Sequence, residues 1–391
     1  MSSEFKRPND GSSNRNRALG RIRSKNGIEP FSRAALLDVY HSIRTTAGSS
    51  CGPDSITFSS LSEKQWNNKI TGLAKSITNN SYKPGPTRNV KIAKPSGGFR
   101  TIKIQNHIDR IPDRACFDVL TLTLEKLFVN WSYGFRPKKS TVNVFAQIRN
   151  GYSRGNIFVC HYDIEKAFDH VNVVRLRRLL DGLTGVNIQV KEMAGLLIRG
   201  NKGKRLIGLD REDDSEIGIS QGQALSALLF NFYLHELHDK HMEKLLSDSS
   251  RIYRYADDFC VTGSSASEVE QTVNQSLDLL KQSGFTCSGG KVLDLRTKKL
   301  DLLGLTVSGH EAEIEFGLSD LAWDNLDDKI DAAHMKADPV ENIKLVVRGW
   351  RQSTRPVLWN EGHQKRLDEM INAHGVAMDP LECDAGWADE L

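Results

Sequence analysis

The sequence has no long apolar run. None of its 391 residues belongs to a stretch that approaches the roughly 20 apolar residues of a membrane-spanning helix. The first residues, MSSEFKRPNDGSS, also lack the apolar core of a secretion signal. These absences argue against a membrane or secreted protein, so we predict a cytoplasmic location and no membrane partner.

Cysteine is scarce, and the net charge is small. The six cysteines include no CxxC pair, which fits reduced thiols better than a disulfide framework or a zinc site. The formal net charge is only +4, but the charges are unevenly distributed. Residues 1–27 are basic and rich in Ser, Asn and Gly, which predicts a flexible arm that either binds phosphate backbones or is a solvated tail. Residues 378–391 are predicted to form an acidic tail.

The apolar residues that are present follow helical spacing in some regions and strand spacing in others, which predicts an α+β fold. Glu29–Ser81 has helical spacing, and a basic hairpin is predicted over residues 90–104. The rest of the pattern predicts helices over 107–150, a strand over 157–164, helices through Leu197, a helix over Gly222–His241, a strand–turn–strand over Arg251–Gly263, a helix over Leu277–Gln282, a strand over Leu300–Val307 and helices to about Ala377.

Three aspartates lie where predicted strands end or turn. Asp163 ends an apolar strand, and Asp257 and Asp258 lie at the bend of a second apolar segment. Asp-Asp by itself is a common turn sequence, but both flanks here are apolar enough for the centre of a sheet. Carboxylates clustered on buried strands repel each other unless cations neutralise them. Two Mg²⁺ ions about 3.5–4 Å apart would do so and would support an in-line phosphoryl displacement.

Four segments resemble motifs of reverse transcriptases, in the order in which the family has them. Ser132–Pro137 (SYGFRP) resembles a signature of group II intron proteins, and Phe158–Asp169 (FVCHYDIEKAFD) resembles the first carboxylate motif. Gly218–Asn231 is similar to the PQG…S…N helix motif, with Ser220 in place of the usual proline. Tyr255–Asp258 (YADD) resembles the YxDD box. The chain therefore resembles bacterial reverse transcriptases of the group II intron-like type.

The resemblance covers about residues 30–360 and implies a right-hand polymerase fold with fingers, an antiparallel palm sheet with helices, and a helical thumb. It assigns metal binding to Asp163 and Asp257, completed by Asp258, with Ile164 offering its backbone carbonyl. The implied cofactors are two Mg²⁺ ions, for which Mn²⁺ could substitute. The predicted segments are the basic arm (1–27), an N-terminal extension and fingers (28–150), the palm with parts of the fingers (151–310), the thumb (311–377) and the acidic tail (378–391).

The resemblance also implies a set of nucleotide-binding residues. Phe168 takes the family's position under the incoming ribose, where a bulky ring would collide with a 2′-hydroxyl and so select deoxynucleotides. Lys94 and Arg100, on opposite arms of the basic hairpin, would clamp the triphosphate, unless they are simply part of a solvated face. Gly222 would allow close approach of the templating base pair, and the amide of Gln221 would contact the nucleotide.

Further residues are predicted to act around the growing strand. Lys291 aligns with a lysine that protonates the leaving pyrophosphate. Gly304, in a segment that resembles the primer-grip strand, would let the primer backbone come near. Arg348 and Trp350 would follow the duplex on the thumb, although a packed Trp350 is equally compatible with the pattern. Arg136 of the SYGFRP segment is predicted to contact nucleic acid.

Together these features predict an RNA-directed DNA polymerase that makes cDNA from dNTPs on a dedicated, structured non-coding RNA. No Cys/His cluster of an endonuclease and no Asn-Ala-x-x-His element of retron enzymes is found, which favours a free-standing enzyme and a role in antiphage defence. A maturase-like RNA-binding protein that assists intron splicing, and a template-independent or protein-primed DNA polymerase, stay open as alternatives. Phe168 disfavours an RNA polymerase with the same palm. The oligomeric state is left open.

Overall fold

The structure is a computed structural model, and it describes residues 29–376 except 47, 49, 94–97, 201–216, 312 and 337. No helix in this part of the chain is both long enough and apolar enough to cross a bilayer. The described residues form two compact units. The first unit contains the residues up to Phe128 together with Lys166–Leu237, and the second contains Val129–Glu165 and the residues from His238 onward.

Helices and strands alternate along the chain. The helices are α1 (Arg33–Ile43), α2 (Glu63–Thr78), α3 (Arg110–Leu124), α4 (Thr141–Tyr152), α5 (Val173–Gly182), α6 (Ile188–Gly200), α7 (Ala224–Leu234), α8 (Lys240–Leu245), α9 (Ala266–Gln282), α10 (Asp320–His334), α11 (Pro339–Ser353) and α12 (Glu361–Asn372). The strands are β1 (Arg88–Ala93), β2 (Phe99–Ile104), β3 (Phe158–Ile164), β4 (Ser250–Tyr255), β5 (Asp258–Gly263), β6 (Cys287–Asp294), β7 (Leu300–Leu302), β8 (Leu305–Gly309) and β9 (Ile314–Gly317). A short 3₁₀ segment spans Ala167–His170, and a π-helical turn spans His235–Asp239.

The first unit is built on helices with a two-stranded hairpin. Helix α7 (ALSALLFNFYL) is apolar almost all round, which is the pattern of a helix buried on every side, and α3 packs against it. Helix α2 begins with a capping box in which Ser62 and Gln65 exchange hydrogen bonds, and it buries Trp66 and Ile70. Strands β1 and β2 pair antiparallel, with Ile92 opposite Arg100. The basic hairpin is therefore confirmed.

The second unit contains the central sheet, whose strands run in the order β4-β5-β3-β6 and pair antiparallel. Because side chains alternate along β3, Tyr162 faces α9, where its hydroxyl bonds to Ser276. Val159 points to the other face and packs with α4 and the small sheet β7-β8-β9. Helices α10, α11 and α12 bury a separate cluster around Trp323 and Trp350.

The predicted α+β class is confirmed, but two strands were missed. Strand β6 contains Gly289 and Gly290 in sequence, and adjacent glycines have low strand propensity; pairing with β3 forms the strand in spite of them. Strand β9 has only four residues and gave no clear pattern. The predicted strand over Leu300–Val307 is in fact two strands joined by a tight turn at Leu303 and Gly304, which both have positive φ.

Two helix boundaries also differ from the prediction. Helix α9 begins at Ala266 rather than at Leu277, because its first turns bury Val269 and Val273 against the sheet. The helix predicted over Gly222–His241 begins at Ala224 and passes through the π-helical turn before α8. The segment boundaries predicted for fingers, palm and thumb stay a prediction, and the arm at 1–27 and the tail at 378–391 lie outside the described residues.

Candidate active site

The central sheet brings the three predicted aspartates to one edge of the second unit. Asp163 near the end of β3 lies directly opposite Asp258 at the start of β5. The backbone N–H of Ile164 donates to the carbonyl oxygen of Asp257 at 3.1 Å. Asp163, Asp257 and Asp258 are each partly buried, so their carboxylates lie at the boundary between the sheet interior and solvent. The expected meeting of the two strands is observed.

A tight turn between β4 and β5 presents Asp257 and Asp258. Tyr255 pairs with Asp258, so only Ala256 and Asp257 lie in the loop. Two-residue hairpin loops favour a left-handed residue, and Ala256 adopts this conformation with φ of 59° although it is not glycine. Gly134 packs against this turn so closely that a Cβ atom at position 134 would lie 2.2 Å from the backbone nitrogen of Ala256. Gly134 belongs to the SYGFRP segment, so that segment supports the YADD turn.

Two neighbouring side chains hold the carboxylates. Nε2 of His161 lies 3.0 Å from Oδ1 of Asp258, and the hydroxyl of Ser288 on β6 donates to Oδ1 of Asp163. Sequence reasoning missed both partners. His161 shares a strand face with Asp163 by the two-residue period and could have been found, whereas Ser288 depends on the pairing of β3 with β6.

The oxygen-rich donor set suits a hard divalent cation, because Mg²⁺ and Ca²⁺ prefer carboxylate and carbonyl oxygens. Within the described part of the chain, however, no three Asp, Glu, His or Cys side chains converge closely enough to hold an ion as they stand. Asp163 and Asp258 are instead directed to Ser288 and His161. An ion at this edge would therefore compete with these two hydrogen bonds.

Lys291 lies on β6, the strand next to the carboxylate strand, and is paired with His161. The register of β6 shifts between His161 and Tyr162, and Gly289 adopts φ of 93° there. A Cβ atom on Gly289 would lie 2.7 Å from the carbonyl oxygen of His161, so the irregularity requires glycine. The structure thus brings Lys291 to the strand beside Asp163, in an exposed position.

In the first unit, Phe168 lies in the 3₁₀ segment after Lys166, which is left-handed with φ of 48°. Its ring stacks on that of Phe230 from α7, with centroids 4.7 Å apart and planes inclined by 25°. The carbonyl oxygen of Phe168 also accepts a hydrogen bond from the N–H of Ile219 at 2.9 Å. The ring is half-buried, so one part is packed and another part stays accessible.

Gln221 and Gly222 lie in the turn before α7, in contact with the basic hairpin. The N–H of Lys103 donates to the carbonyl oxygen of Gln221 at 3.1 Å. Gly222 has φ of 99°, and a Cβ atom there would lie 2.5 Å from Cγ2 of Ile102. The side-chain oxygen of Gln221 is buried and accepts no hydrogen bond from the described residues. Such a buried acceptor is expected to have a partner, so Gln221 is a candidate ligand-binding residue.

The remaining predicted nucleotide residues belong to the hairpin. Arg100 is exposed on β2. Lys94 lies outside the described residues, so the predicted pairing of Lys94 with Arg100 stays a prediction.

Two residues predicted to contact nucleic acid are largely buried in the second unit. Arg136 is only 8% exposed, and its Nη1 donates to the carbonyl oxygens of Val129 at 2.7 Å and Ser132 at 2.6 Å. The guanidinium therefore fixes its own loop, because buried donors need acceptors. The ring of Trp350 packs 4.9 Å from that of Trp323 in the core of the C-terminal helices. The side chain of Trp350 is therefore packed in this core, and its predicted contact with nucleic acid stays a prediction.

The other two predicted nucleic-acid contacts lie at the surface. Arg348 is partly exposed on α11, with Nη1 3.8 Å from Oε1 of Glu341. Gly304 lies in the turn between β7 and β8 rather than in a strand, and a Cβ atom there would meet no atom within 4 Å. The space above Gly304 is therefore open to an approaching backbone.

Comparison with known proteins identifies the family. Residues 92–307 match the family model described as "Reverse transcriptase (RNA-dependent DNA polymerase)". This range is more than half of the chain and contains the three aspartates and all of the predicted nucleotide-binding residues. The chain belongs to the reverse transcriptase family.

Related sequences include group II intron proteins. The chain is 32% identical over 178 residues to the group II intron-encoded protein LtrA of Lactococcus lactis. The aligned region covers 45% of this chain and 28% of LtrA. It is also 30% identical over 189 residues to protein YkfC of Escherichia coli, and this aligned region covers 47% of this chain and 48% of YkfC. The chain thus matches less than half of the length of either relative. Among solved structures, telomerase from Candida albicans aligns with a TM-score of 0.43 and 14% identity, covering 80% of this chain and 63% of that one.

Proposed function

We propose that this reverse transcriptase family member is an active RNA-directed DNA polymerase that adds deoxynucleotides to a primer 3′ end. The observation that carries the proposal is the meeting of Asp163, Asp257 and Asp258 at one edge of the central sheet. Asp163 and Asp258 lie on two adjacent strands and Asp257 lies in the turn immediately before Asp258, an arrangement that suits shared divalent ions.

Asp163 and Asp257, completed by Asp258, would hold two Mg²⁺ ions or Mn²⁺ in their place, with the carbonyl of Ile164 as a further ligand. When bound, these ions supply the positive charge that stabilises the attacking and leaving oxygens of phosphoryl transfer. The chain's own contribution is to orient the acids. Lys291, on the strand beside Asp163, would donate a proton to the pyrophosphate as it leaves.

Nucleotide selection is proposed for the first unit. The half-buried ring of Phe168 is held by its stack on Phe230, so it can act as a rigid block against a 2′-hydroxyl. The buried oxygen of Gln221 offers an acceptor, and Arg100 offers an exposed guanidinium for phosphate oxygens, with Lys94 as its proposed partner. Gly222 keeps the turn before α7 free of a side chain.

Template and primer binding are proposed for positions that solvent reaches. Arg348 on α11 would contact the phosphate backbone, and Gly304 would leave room for the primer strand. The proposed segments remain the N-terminal extension and fingers at 28–150, the palm with parts of the fingers at 151–310 and the helical thumb at 311–377. A structured non-coding RNA is the proposed template and cDNA the product.

The proposal is tested by replacing Asp257 and Asp258 with alanine and measuring extension of a primer on an RNA template with dNTPs. We expect incorporation to be abolished while binding of the primer–template is retained, because phosphate contacts by Lys and Arg do not need these acids. The matched control is D327A/D328A, a second adjacent aspartate pair that is exposed on α10. The control should extend primers like the wild type; synthesis by D257A/D258A would overturn the metal assignment.

The alternatives give different outcomes in the same assays. A maturase-like protein would promote intron splicing equally well with and without Asp257 and Asp258. A template-independent enzyme would incorporate dNTPs when the RNA template is omitted, and a protein-primed enzyme would attach label to the protein when the primer is omitted. The similarity to LtrA makes the splicing assay the first of these to perform.

A role in antiphage defence is also proposed, and it rests only on the resemblance to bacterial reverse transcriptases. Cells that carry the gene with its flanking non-coding sequence are challenged with a broad phage panel, beside cells that carry the D257A/D258A variant. We expect fewer plaques with the wild type only. Equal plaque counts across the panel would argue against defence without affecting the polymerase assignment.

A further inference from the structure

A buried network of hydrogen bonds lies behind the carboxylate edge, inside the second unit. Its members are at most 1% exposed and come from β3, α9, the π-helical turn and β4: Tyr162, Ser276, His238, Asp239 and Arg254. The hydroxyl of Tyr162 donates to Oγ of Ser276 at 2.7 Å, and Nε2 of His238 lies 2.6 Å from the same oxygen. Polar groups so deeply buried are costly unless each has a partner.

The network continues through an ion pair. Nδ1 of His238 lies 2.9 Å from Oδ1 of Asp239. Arg254 donates to both carboxylate oxygens of Asp239, with Nε 3.1 Å from Oδ1, and its Nη1 donates to the carbonyl oxygen of Ala256 at 3.0 Å. Arginine suits this position because its planar fork can bond a carboxylate and a carbonyl at once.

The donors and acceptors are mutually consistent. Burial alone would raise the pKa of Asp239, but Arg254 and His238 lower it to about 2, so the carboxylate is ionised and only accepts. Burial lowers the pKa of His238, so its ring is neutral. Nδ1 must then carry the proton that Asp239 accepts, and Nε2 accepts from Ser276, which in turn accepts from Tyr162.

Both ends of the network adjoin proposed metal ligands. Tyr162 immediately precedes Asp163, and Ala256 immediately precedes Asp257. The backbone of Arg254 is itself fixed, because its N–H donates to the carbonyl of Trp131 at 2.9 Å and its carbonyl accepts from the N–H of Tyr133 at 2.8 Å. The Arg254 guanidinium thus reaches the carbonyl oxygen of Ala256, whose φ is 59°, from a backbone that is fixed at both its N–H and its carbonyl.

The free energy of unfolding does not explain why Asp239 and Arg254 form an ion pair rather than an apolar contact. Apolar residues of similar volume often replace a buried ion pair without loss of stability. An apolar side chain at position 254 could not bond the carbonyl of Ala256, however. We propose that Asp239 and Arg254 are positioning residues that hold Ala256 left-handed and so set Asp257 and Asp258 for divalent-ion binding. This inference rests on the proposed function of the three aspartates.

The test measures Mn²⁺ binding to the full chain by electron paramagnetic resonance, in the absence of nucleotide. The double variant D239L/R254M removes both charges together, so neither is left buried alone. We expect its thermal unfolding midpoint to stay near that of the wild type while Mn²⁺ affinity falls about tenfold or more, as for other residues that orient metal ligands. Unchanged affinity in the folded variant would overturn the proposal.

Two single variants test the positioning role without relying on the fold of the double variant. R254K keeps the charge but loses the fork, so we expect weaker Mn²⁺ binding; wild-type affinity in R254K would contradict the positioning role. R251Q is the matched control, because Arg251 is an exposed arginine on the same strand, and its affinity should equal that of the wild type.

A rescue experiment tests whether the pair acts through Ala256. Glycine adopts positive φ without the steric cost of Cβ, so a glycine at position 256 needs less support from the Arg254 side chain. Adding A256G to D239L/R254M should recover part of the lost Mn²⁺ affinity. A purely structural role of the ion pair predicts no recovery, and that outcome would overturn the inference.

Failure of the proposed function gives a different result. If wild type and D257A/D258A bind Mn²⁺ equally, the three aspartates are not the metal site, whatever the ion-pair variants do. If only the wild type binds and D239L/R254M binds as tightly as the wild type, the metal site stands and the positioning role alone is wrong.

Discussion

Asp113 on α3 is a buried acid whose charge state depends on pH. Burial raises its pKa to about 7 from the ordinary value of 3.8, against the opposing effects of the Leu225 N–H and Gln105. The folded chain therefore holds this proton more tightly than the unfolded chain. Its contribution to stability is fully present below pH 3.8 and is lost as pH rises to about 7.

The substitution Asp113→Asn should remove that pH dependence, because the amide is neutral throughout. Between pH 5 and 7 we expect the free energy of unfolding of the wild type to fall relative to the variant by about 2–3 kcal/mol, since one pKa unit corresponds to about 1.4 kcal/mol. Urea unfolding at several pH values measures the difference. Parallel curves for the two proteins would show that Asp113 is ionised in the folded state.

Replacement of Phe168 should change the choice between deoxynucleotides and ribonucleotides. Phe168→Ala removes the ring while leaving Phe230 in α7, so we expect ribonucleotides to be incorporated more readily than by the wild type. Competition between dNTPs and rNTPs in primer extension measures the change. Phe168→Tyr keeps a ring of the same width and is the control that should retain discrimination. Unchanged selection in Phe168→Ala would remove this residue from nucleotide choice.

At the scale of elements, the YADD turn depends on a contact from a distant segment. In Gly134→Ala the new Cβ would overlap backbone atoms of Ala256, which cannot move aside as a flexible side chain could. We expect a loss of about 1–3 kcal/mol in the free energy of unfolding, as for overpacked interiors. Primer extension should fall as well, because the turn carries Asp257.

The matched control for this prediction is Gly349→Ala in α11. Gly349 is exposed, and an added Cβ would meet nothing within 4 Å. Alanine favours a helix over glycine by about 0.5–1 kcal/mol, so this variant should be slightly more stable than the wild type. Thermal unfolding of both variants measures these changes. Equal stability of Gly134→Ala and wild type would show that the YADD turn does not require a residue without a side chain at position 134.

For the whole molecule, removal of divalent ions should separate chemistry from binding. EDTA should stop dNTP incorporation, and added Mg²⁺ should restore it. Binding of the primer–template should persist in EDTA but weaken steeply as monovalent salt is raised, because phosphate contacts release counterions. Primer extension and filter binding on the same samples measure both. Synthesis that continues in EDTA would exclude a divalent-ion mechanism.

The resemblance to the family and the placement of the three aspartates at strand ends could both be predicted from the sequence alone. Those features are local: an apolar strand ending in Asp163 and the YADD turn each lie within a few residues, so their pattern is readable without a fold. The α+β class and the basic hairpin could be predicted for the same reason.

The surroundings of these motifs depend on contacts that form only in the folded chain. Strand β6, with its two glycines, forms only because β3 offers it a partner, and it brings Ser288 to Asp163. The pairing of Asp239 with Arg254 and the burial of Arg136 depend on packing between segments. Propensity and spacing describe neighbours along the chain, whereas these contacts join residues that only the folded backbone brings together.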